Sequence, residues 1–280
     1  MEPVKLWWKT LRGSKIFAWY MLPVSQPKAV VFMVHGHGEH SWRYLHWAKQ
    51  FTYNGYVFLS WDHYGHGLSD GQRGHIRYYE QLLLEIDLAI TRTGELFPNL
   101  PVILYGHSMG GNIAINYVIR RSSAVKLLIA TAPWLELTHP APRIVHILGT
   151  LMNVTLPFYP FKSPIRPEQI SHVQEEVAKY ATDPLVHGRI TPRLYSSVVK
   201  AGKFAMSKAA RVKIPTLLMH GTDDSITLPG ATAKLANIIP NCTYIAWPGL
   251  YHELHNEVPR DEVFSRILDW IETEHKQNAI

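Results

Sequence analysis

One cysteine, Cys242, stands in 280 residues, so no disulfide can form within the chain and nothing in the thiol count asks for an oxidising compartment. It sits at a strand start, Asn241-Cys242-Thr243-Tyr244-Ile245, where a small packed thiol fits. Long apolar runs are missing too. The longest, Ile144 to Phe161, is interrupted by His146, Asn153, Pro157 and Pro160 and falls short of a membrane span. Met1 to Lys9 hold no continuous apolar segment and no small-residue cleavage site, so the chain reads as cytoplasmic. Blocks of like charge are absent: 28 lysines and arginines against 22 aspartates and glutamates leave a scattered net +6. With no aromatic-plus-basic signature beside them, nucleic acid is not an expected partner. A mild positive excess suits an anionic membrane surface or a phosphate-bearing substrate better. Repeats and low-complexity tracts are also lacking. What is present, 46% hydrophobic and 18% charged residues, is the composition of a soluble globular protein able to bury a full core.

Two alternating runs, Val4 to Leu11 and Lys15 to Leu22, flank Arg12-Gly13-Ser14 and predict an N-terminal β-hairpin. The period then changes. Short apolar runs at Ala29 to Val34, Val57 to Trp61, Val102 to Tyr105, Lys126 to Ala130, Thr216 to Met219 and Thr243 to Trp247 predict strands buried on both faces of a parallel sheet. Helical patterns lie between most of them, clearest at Tyr78 to Leu96 and Met109 to Arg120, and Arg260 to His275 closes the chain. Such alternation predicts a doubly wound α/β fold. Residues 133–207 break the rhythm. They hold nine of the nineteen prolines, carry a net charge of +3 and separate the fourth parallel strand from the fifth. They are read as an inserted helical cap on a core formed by 1–132 and 208–280, with Ile147 to Val154 as a segment that could cover a site.

Tyr105-Gly106-His107-Ser108-Met109-Gly110-Gly111 follows a buried strand and precedes a helix, the context that makes a G-x-S-x-G pattern meaningful. A sharp strand-to-helix turn exposes the serine hydroxyl, and flanking side chains would collide with strand and helix. The helix N-terminus favours developing negative charge. A serine hydroxyl needs a base and an orienting carboxylate. The fifth parallel strand runs into Gly221-Thr222-Asp223-Asp224, where Asp224 is the favoured acid and Asp223 the alternative. The last strand leads to Leu250-Tyr251-His252-Glu253-Leu254-His255, where His252 is the expected base and His255 its competitor. Oxyanion donors are expected from the N–H groups of Met109 and of His37, the latter in Val34-His35-Gly36-His37-Gly38-Glu39-His40. His35, His37, His40 and Glu39 invite a metal-site reading, but such a site would leave the Ser-Asp-His order unexplained. His63 and His66 are read as loop structure, and no Walker-type Gly-Lys-Ser/Thr follows their glycine loop. No metal or cofactor is called for. A binding module that keeps such a fold without turnover is the remaining class.

Over essentially its whole length the sequence resembles the monoacylglycerol lipase and lysophospholipase branch of the α/β-hydrolases. His35-Gly36-His37-Gly38-Glu39-His40-Ser41-Trp42-Arg43-Tyr44 is similar to that family's H-G-x-G-E-H-S-x-R-Y loop, and Asp62 to Gly71 to its D-x-x-G-H-G-x-S-x-G segment. Gly106 to Gly111, Gly221 to Asp224 and Tyr251 to His255 match its nucleophile, acid and base segments. The resemblance implies Ser108, Asp224 and His252 as a triad. It also implies a polar pocket end for a glycerol-like head at Glu39, Arg43, His107 and His255, which suits the paired donors and acceptors a triol needs. A single-chain lipid ester is the implied substrate, monoacylglycerol first, with a lysophospholipid or general carboxylic ester as the alternative. Peripheral membrane contact through the cap is expected from its apolar stretch and basic balance. Two departures stand out: the family loop often has a small residue where this chain has His37, and 133–207 is the least similar region.

Overall fold

The fold comes from a computed structural model and is described for residues 2–121, 124–140 and 142–278, without the side chains of 143, 145–148 and 278. In chain order the elements are β1 (Val4–Lys9), β2 (Lys15–Met21), β3 (Val30–Val34), α1 (Leu45–Tyr53), β4 (Val57–Trp61), α2 (Glu80–Leu96), β5 (Val102–His107), α3 (Met109–Arg120) and β6 (Val125–Thr131). There follow α4 (Arg143–Thr155), β7 (Phe161–Lys162), α5 (Gln174–Thr182), β8 (Arg189–Ile190) and α6 (Pro192–Lys208). The chain closes with β9 (Thr216–Gly221), α7 (Pro229–Ala236), β10 (Cys242–Trp247) and α8 (Arg260–Asn278).

Eight strands form one sheet in the order β1-β2-β4-β3-β5-β6-β9-β10. The predicted hairpin is β1 and β2, antiparallel to each other and to β4, and every later pairing is parallel. Alternation along β3 shows how the sheet divides the interior: Val30, Phe32 and Val34 face one core with α2, α3, α6 and α7, while Val31 and Met33 face a second with α1 and α8. Each such side chain contributes roughly 1.5–3 kcal/mol on burial. One expectation needs correcting: β10 is not buried on both faces, because it is the edge strand and most of its residues are half-buried or exposed. Helix α1, which the sequence reading did not single out, begins straight from a 3-10 turn at Ser41–Tyr44 with no capping side chain to mark it.

Within the inserted stretch, α6 turns Leu194, Val198, Ala201 and Ala205 inward, and the side-chain amides of Asn112 and Asn116 donate to the Val198 and Ala201 carbonyls at 3.2 and 3.1 Å. This last helix therefore shares the main core. Ile170 and Val177 instead join Ile226 in a small separate cluster. The side chains of Ile147 and Leu148, read from sequence as part of a covering segment, lie outside the described residues. No helix among the described residues is long and apolar enough to cross a membrane.

Candidate active site

Parallel register places the C-terminal ends of β3, β5, β6 and β9 side by side, Val34 against Gly106, Gly106 against Ala130 and Thr131 against Met219. The loops leaving this edge carry the candidate residues. Ser108 sits between β5 and α3 at φ 54°, ψ −118°, a left-handed φ that an L residue holds at a cost of about 1–3 kcal/mol. Its N–H donates to the Thr131 carbonyl at 3.0 Å, and its own carbonyl accepts from Asn112 and Trp134 at 3.1 and 2.9 Å, which hold the turn. The glycines follow from geometry. A Cβ on Gly106 would run into the Gly110 backbone, and one on Gly110 into the Val34 carbonyl oxygen. Met109 opens α3, so its N–H has no carbonyl one turn back to serve.

The His252 Nδ1–H donates to Asp224 Oδ2 at 2.7 Å, both groups being buried, whereas Asp223 is exposed and accepts from the Thr222 hydroxyl at 2.9 Å. Asp224 Oδ1 accepts from the N–H groups of Ile226 and Thr227 at 2.7 and 3.0 Å. Burial alone would raise the Asp224 pKa, but His252 and His220 outweigh it and hold the carboxyl far below the usual range. Desolvation likewise opposes the His252 imidazolium, and the Asp224 charge and hydrogen bond overcome it, raising the pKa. His255 does not meet Asp224. It is fully buried, stacked on Tyr44 with ring centroids 4.7 Å apart, and neither ring nitrogen has a partner.

Residues of the loops after β3 and β10 are drawn into one buried ionic cluster. Glu39 Oε1 accepts from the Gly36 N–H at 2.6 Å and the Tyr44 hydroxyl at 2.7 Å, and Glu39 Oε2 accepts from Arg43 at 2.7 Å. Arg43 also grips Glu253 with two bonds of 2.6 and 2.7 Å. Burial, helped by Glu253, raises the Glu39 pKa against the pull of Arg43; at Glu253 burial pushes the same way, but Arg43 prevails and holds the carboxyl at about 2. Glu253 is the residue the sequence reading missed: nothing in a glutamate that follows the base shows that it pairs with an arginine 210 positions away. His107 Nδ1 lies 3.2 Å from the Thr131 hydroxyl, and its ring is 4.8 Å from that of His252 and 4.9 Å from that of His255.

His37 differs from these. It is 6% exposed, both its ring nitrogens lack a partner, and desolvation lowers its pKa to about 3, so it is a neutral imidazole with a donor and an acceptor unused. It lines a cavity of about 20 Å³ together with Ser108, His252, Glu39, Ile165, Ile170, Tyr180 and Ile226. The rest of the suspected metal cluster is engaged elsewhere. His35 is near the Gly36 carbonyl at 2.7 Å and accepts from the His63 N–H at 3.0 Å, and His40 Nε2 bonds Asp183 at 2.9 Å. Among the described residues no three His, Cys, Asp or Glu side chains are grouped so as to hold a metal ion. His63 Nδ1 pairs with Glu85 at 2.5 Å beneath the second glycine loop.

The chain matches the family described as serine aminopeptidase, S33, over residues 25–259. It is 32% identical over 265 residues to a monoglyceride lipase homolog of Monkeypox virus, covering 94% of this chain and 95% of that protein. It is 33% identical over 261 residues, 92% of its length, to an uncharacterized abhydrolase domain-containing protein of Dictyostelium discoideum, of which it spans only 27%. The crystal structure of a monoacylglycerol lipase from Paleococcus ferrophilus matches at a TM-score of 0.85 and 30% identity, covering 92% of this chain and 99% of that one. With its parallel sheet, its strained serine turn and this match across most of its length, the chain belongs to the S33 serine aminopeptidase family and is an α/β-hydrolase, an enzyme of the esterase and lipase kind.

Proposed function

We propose that this enzyme hydrolyses single-chain lipid esters, monoacylglycerol first among them, through an acyl-enzyme on Ser108. The observation that carries the reading is the buried His252–Asp224 pair, 2.7 Å apart, with His252 lining the same small cavity as Ser108. Nδ1 of His252 serves Asp224, which leaves Nε2 for the Ser108 proton. Ser108 Oγ attacks the ester carbonyl, and the oxyanion is met by the N–H groups of Met109 and His37. His252 returns the proton to the leaving alcohol, and water, deprotonated by the same imidazole, then releases the fatty acid. Asp224 stays ionised throughout and steadies the imidazolium.

Three isoleucines, Ile165, Ile170 and Ile226, give the cavity the apolar wall an acyl chain needs. At about 20 Å³ the space holds no lipid, so 133–207 would act as a lid that must withdraw. Its outer side shows Leu151, Val154, Phe158 and Tyr159, each more than half exposed, which would dock on a membrane surface. For the polar head the hydrogen-bonding positions count. Glu39 and Arg43 are occupied by each other and by Glu253, while His37 at the cavity and His255 behind His107 have both nitrogens open. The glycerol hydroxyls would therefore meet His37 first, with Glu39 and Arg43 bracing the wall.

A substrate panel tests this: long-chain monoacylglycerols, lysophospholipids, short p-nitrophenyl esters, acyl-CoA and amino-acid amides. Highest kcat/KM on a single-chain glyceride is expected. Preference for amides or short esters would refute the lipid assignment, and preference for lysophospholipids would move the head group to a phosphate.

A further inference from the structure

The geometry points to His220 as a positioning residue that holds Asp224 at the same carboxylate oxygen as His252. This rests on the triad proposed above. His220 lies four residues before Asp224, at the end of β9, and is fully buried. Its Nε2 is 2.9 Å from Asp224 Oδ2, the same oxygen that takes His252 Nδ1 at 2.7 Å. Its Nδ1 is 2.8 Å from the hydroxyl of Thr232 on α7. Asp224 as a carboxylate can only accept, so His220 must carry its proton on Nε2, and a neutral ring then accepts the Thr232 hydroxyl at Nδ1. The Thr227 hydroxyl also lies 2.8 Å from Oδ2 but has a second acceptor, the Ala132 carbonyl at 3.1 Å. An oxygen with two lone pairs is thus filled by the two imidazoles, Thr227 can turn to Ala132, and the carboxylate is fixed in direction.

Such an arrangement sets the strength of the catalytic base as well as its orientation. A donor at Oδ2 draws carboxylate charge away from His252 and so moderates how strongly Asp224 favours the imidazolium. The other titratable groups facing this pair are His107, Glu253 and Glu39, with Arg43 beyond them; none bonds Asp224. Among the described residues, the side-chain partners of the Asp224 carboxylate besides His252 are His220 and the Thr227 hydroxyl, of which Thr227 has the Ala132 carbonyl as an alternative.

The test is the rate of Ser108 labelling by a fluorophosphonate as a function of pH, in the whole protein, for wild type, His220→Phe, His220→Gln and Thr232→Val. His220→Phe keeps a ring without a donor; it should slow labelling at pH 7 about tenfold and move the acid limb upward by about one pH unit. His220→Gln keeps an N–H for Asp224 and should stay within about threefold of wild type with its limb in place. Thr232→Val leaves the triad untouched but removes the hydroxyl that anchors the His220 ring at Nδ1, so its hold on Asp224 loosens, and it should move the limb the same way by less. Equal slowing in His220→Phe and His220→Gln, with every limb at the wild-type pH, would reduce His220 to packing and overturn the inference. If His220→Phe does not fold, an unmoved limb in Thr232→Val overturns it instead. A wild type that takes no label at all would overturn the nucleophile assignment itself, a separate failure.

Discussion

Arg43 is held between two carboxylates that are themselves nearly excluded from water, and the arrangement has a sharp consequence at the scale of a single residue. Removing the guanidinium leaves Glu253 and Glu39 facing each other without compensation, and breaking a buried pair in this way costs about 3–5 kcal/mol. Arg43→Met should therefore lose stability of that size in urea unfolding at pH 7; a loss within about 0.5 kcal/mol would mean the cluster is solvated. The sign with pH follows from Glu253, whose depressed pKa of about 2 makes its contribution present above the ordinary carboxylate range and lost as pH falls toward 2, so the deficit of the variant should shrink over that interval. That Ser108, Asp224 and His252 follow the ends of β5, β9 and β10 was legible in the sequence, because each comes after an apolar strand run. Position alone left Asp223 open; exposure separates them, since only Asp224 is buried at His252. Glu253 and His220 were not legible, because their roles depend on contacts that no local pattern records.

At the scale of elements, the strand, turn and helix from Val102 to Arg120 is the unit that presents the serine, and backbone contact rather than side-chain chemistry defines it. Gly106→Ala and Gly110→Ala should each destabilise by about 3 kcal/mol or more, because the added methyl meets carbonyl groups of neighbouring elements that cannot turn aside. Thermal melting checks this; wild-type Tm in either variant would show the turn to be looser than described. The buried parallel strands were readable from their apolar runs, and β4 ends where the sequence places it. Strand β10 was misjudged because an edge strand with apolar residues looks like a central one until its neighbours are counted. Helix α1 escaped notice because Trp47, Ala48 and Phe51 form a short stripe with no cap ahead of them. Residues 133–207 were read as an insertion from their prolines, and the docking of α6 on α3 depends on asparagine contacts that periodicity does not report.

For the molecule as a whole, buried histidine is the unusual feature. His35, His37, His66, His107 and His255 are all sequestered, and in each the leading effect is desolvation, which lowers the pKa. The unfolded chain binds protons at these sites near pH 6.5 while the folded chain does not, so stability must fall as pH drops, by about 1 kcal/mol per histidine between pH 6.5 and 5.5. His252, with its raised pKa, contributes in the opposite direction and offsets only one of the five. Melting followed from pH 7.5 to 5 should show a steep decline beginning near 6.5; a flat profile would mean these rings are hydrated. Under the proposed mechanism, in which His252 must be neutral to take the serine proton, the same raised pKa should place the acid limb of kcat/KM above the ordinary imidazole value. Substrate choice and lid movement both bear on Ser108 as the nucleophile. The most direct measurement is fatty-acid release from a long-chain monoacylglycerol by wild type and Ser108→Ala side by side: a loss on the order of 10⁶ in kcat is expected, and equal rates would contradict the mechanism outright.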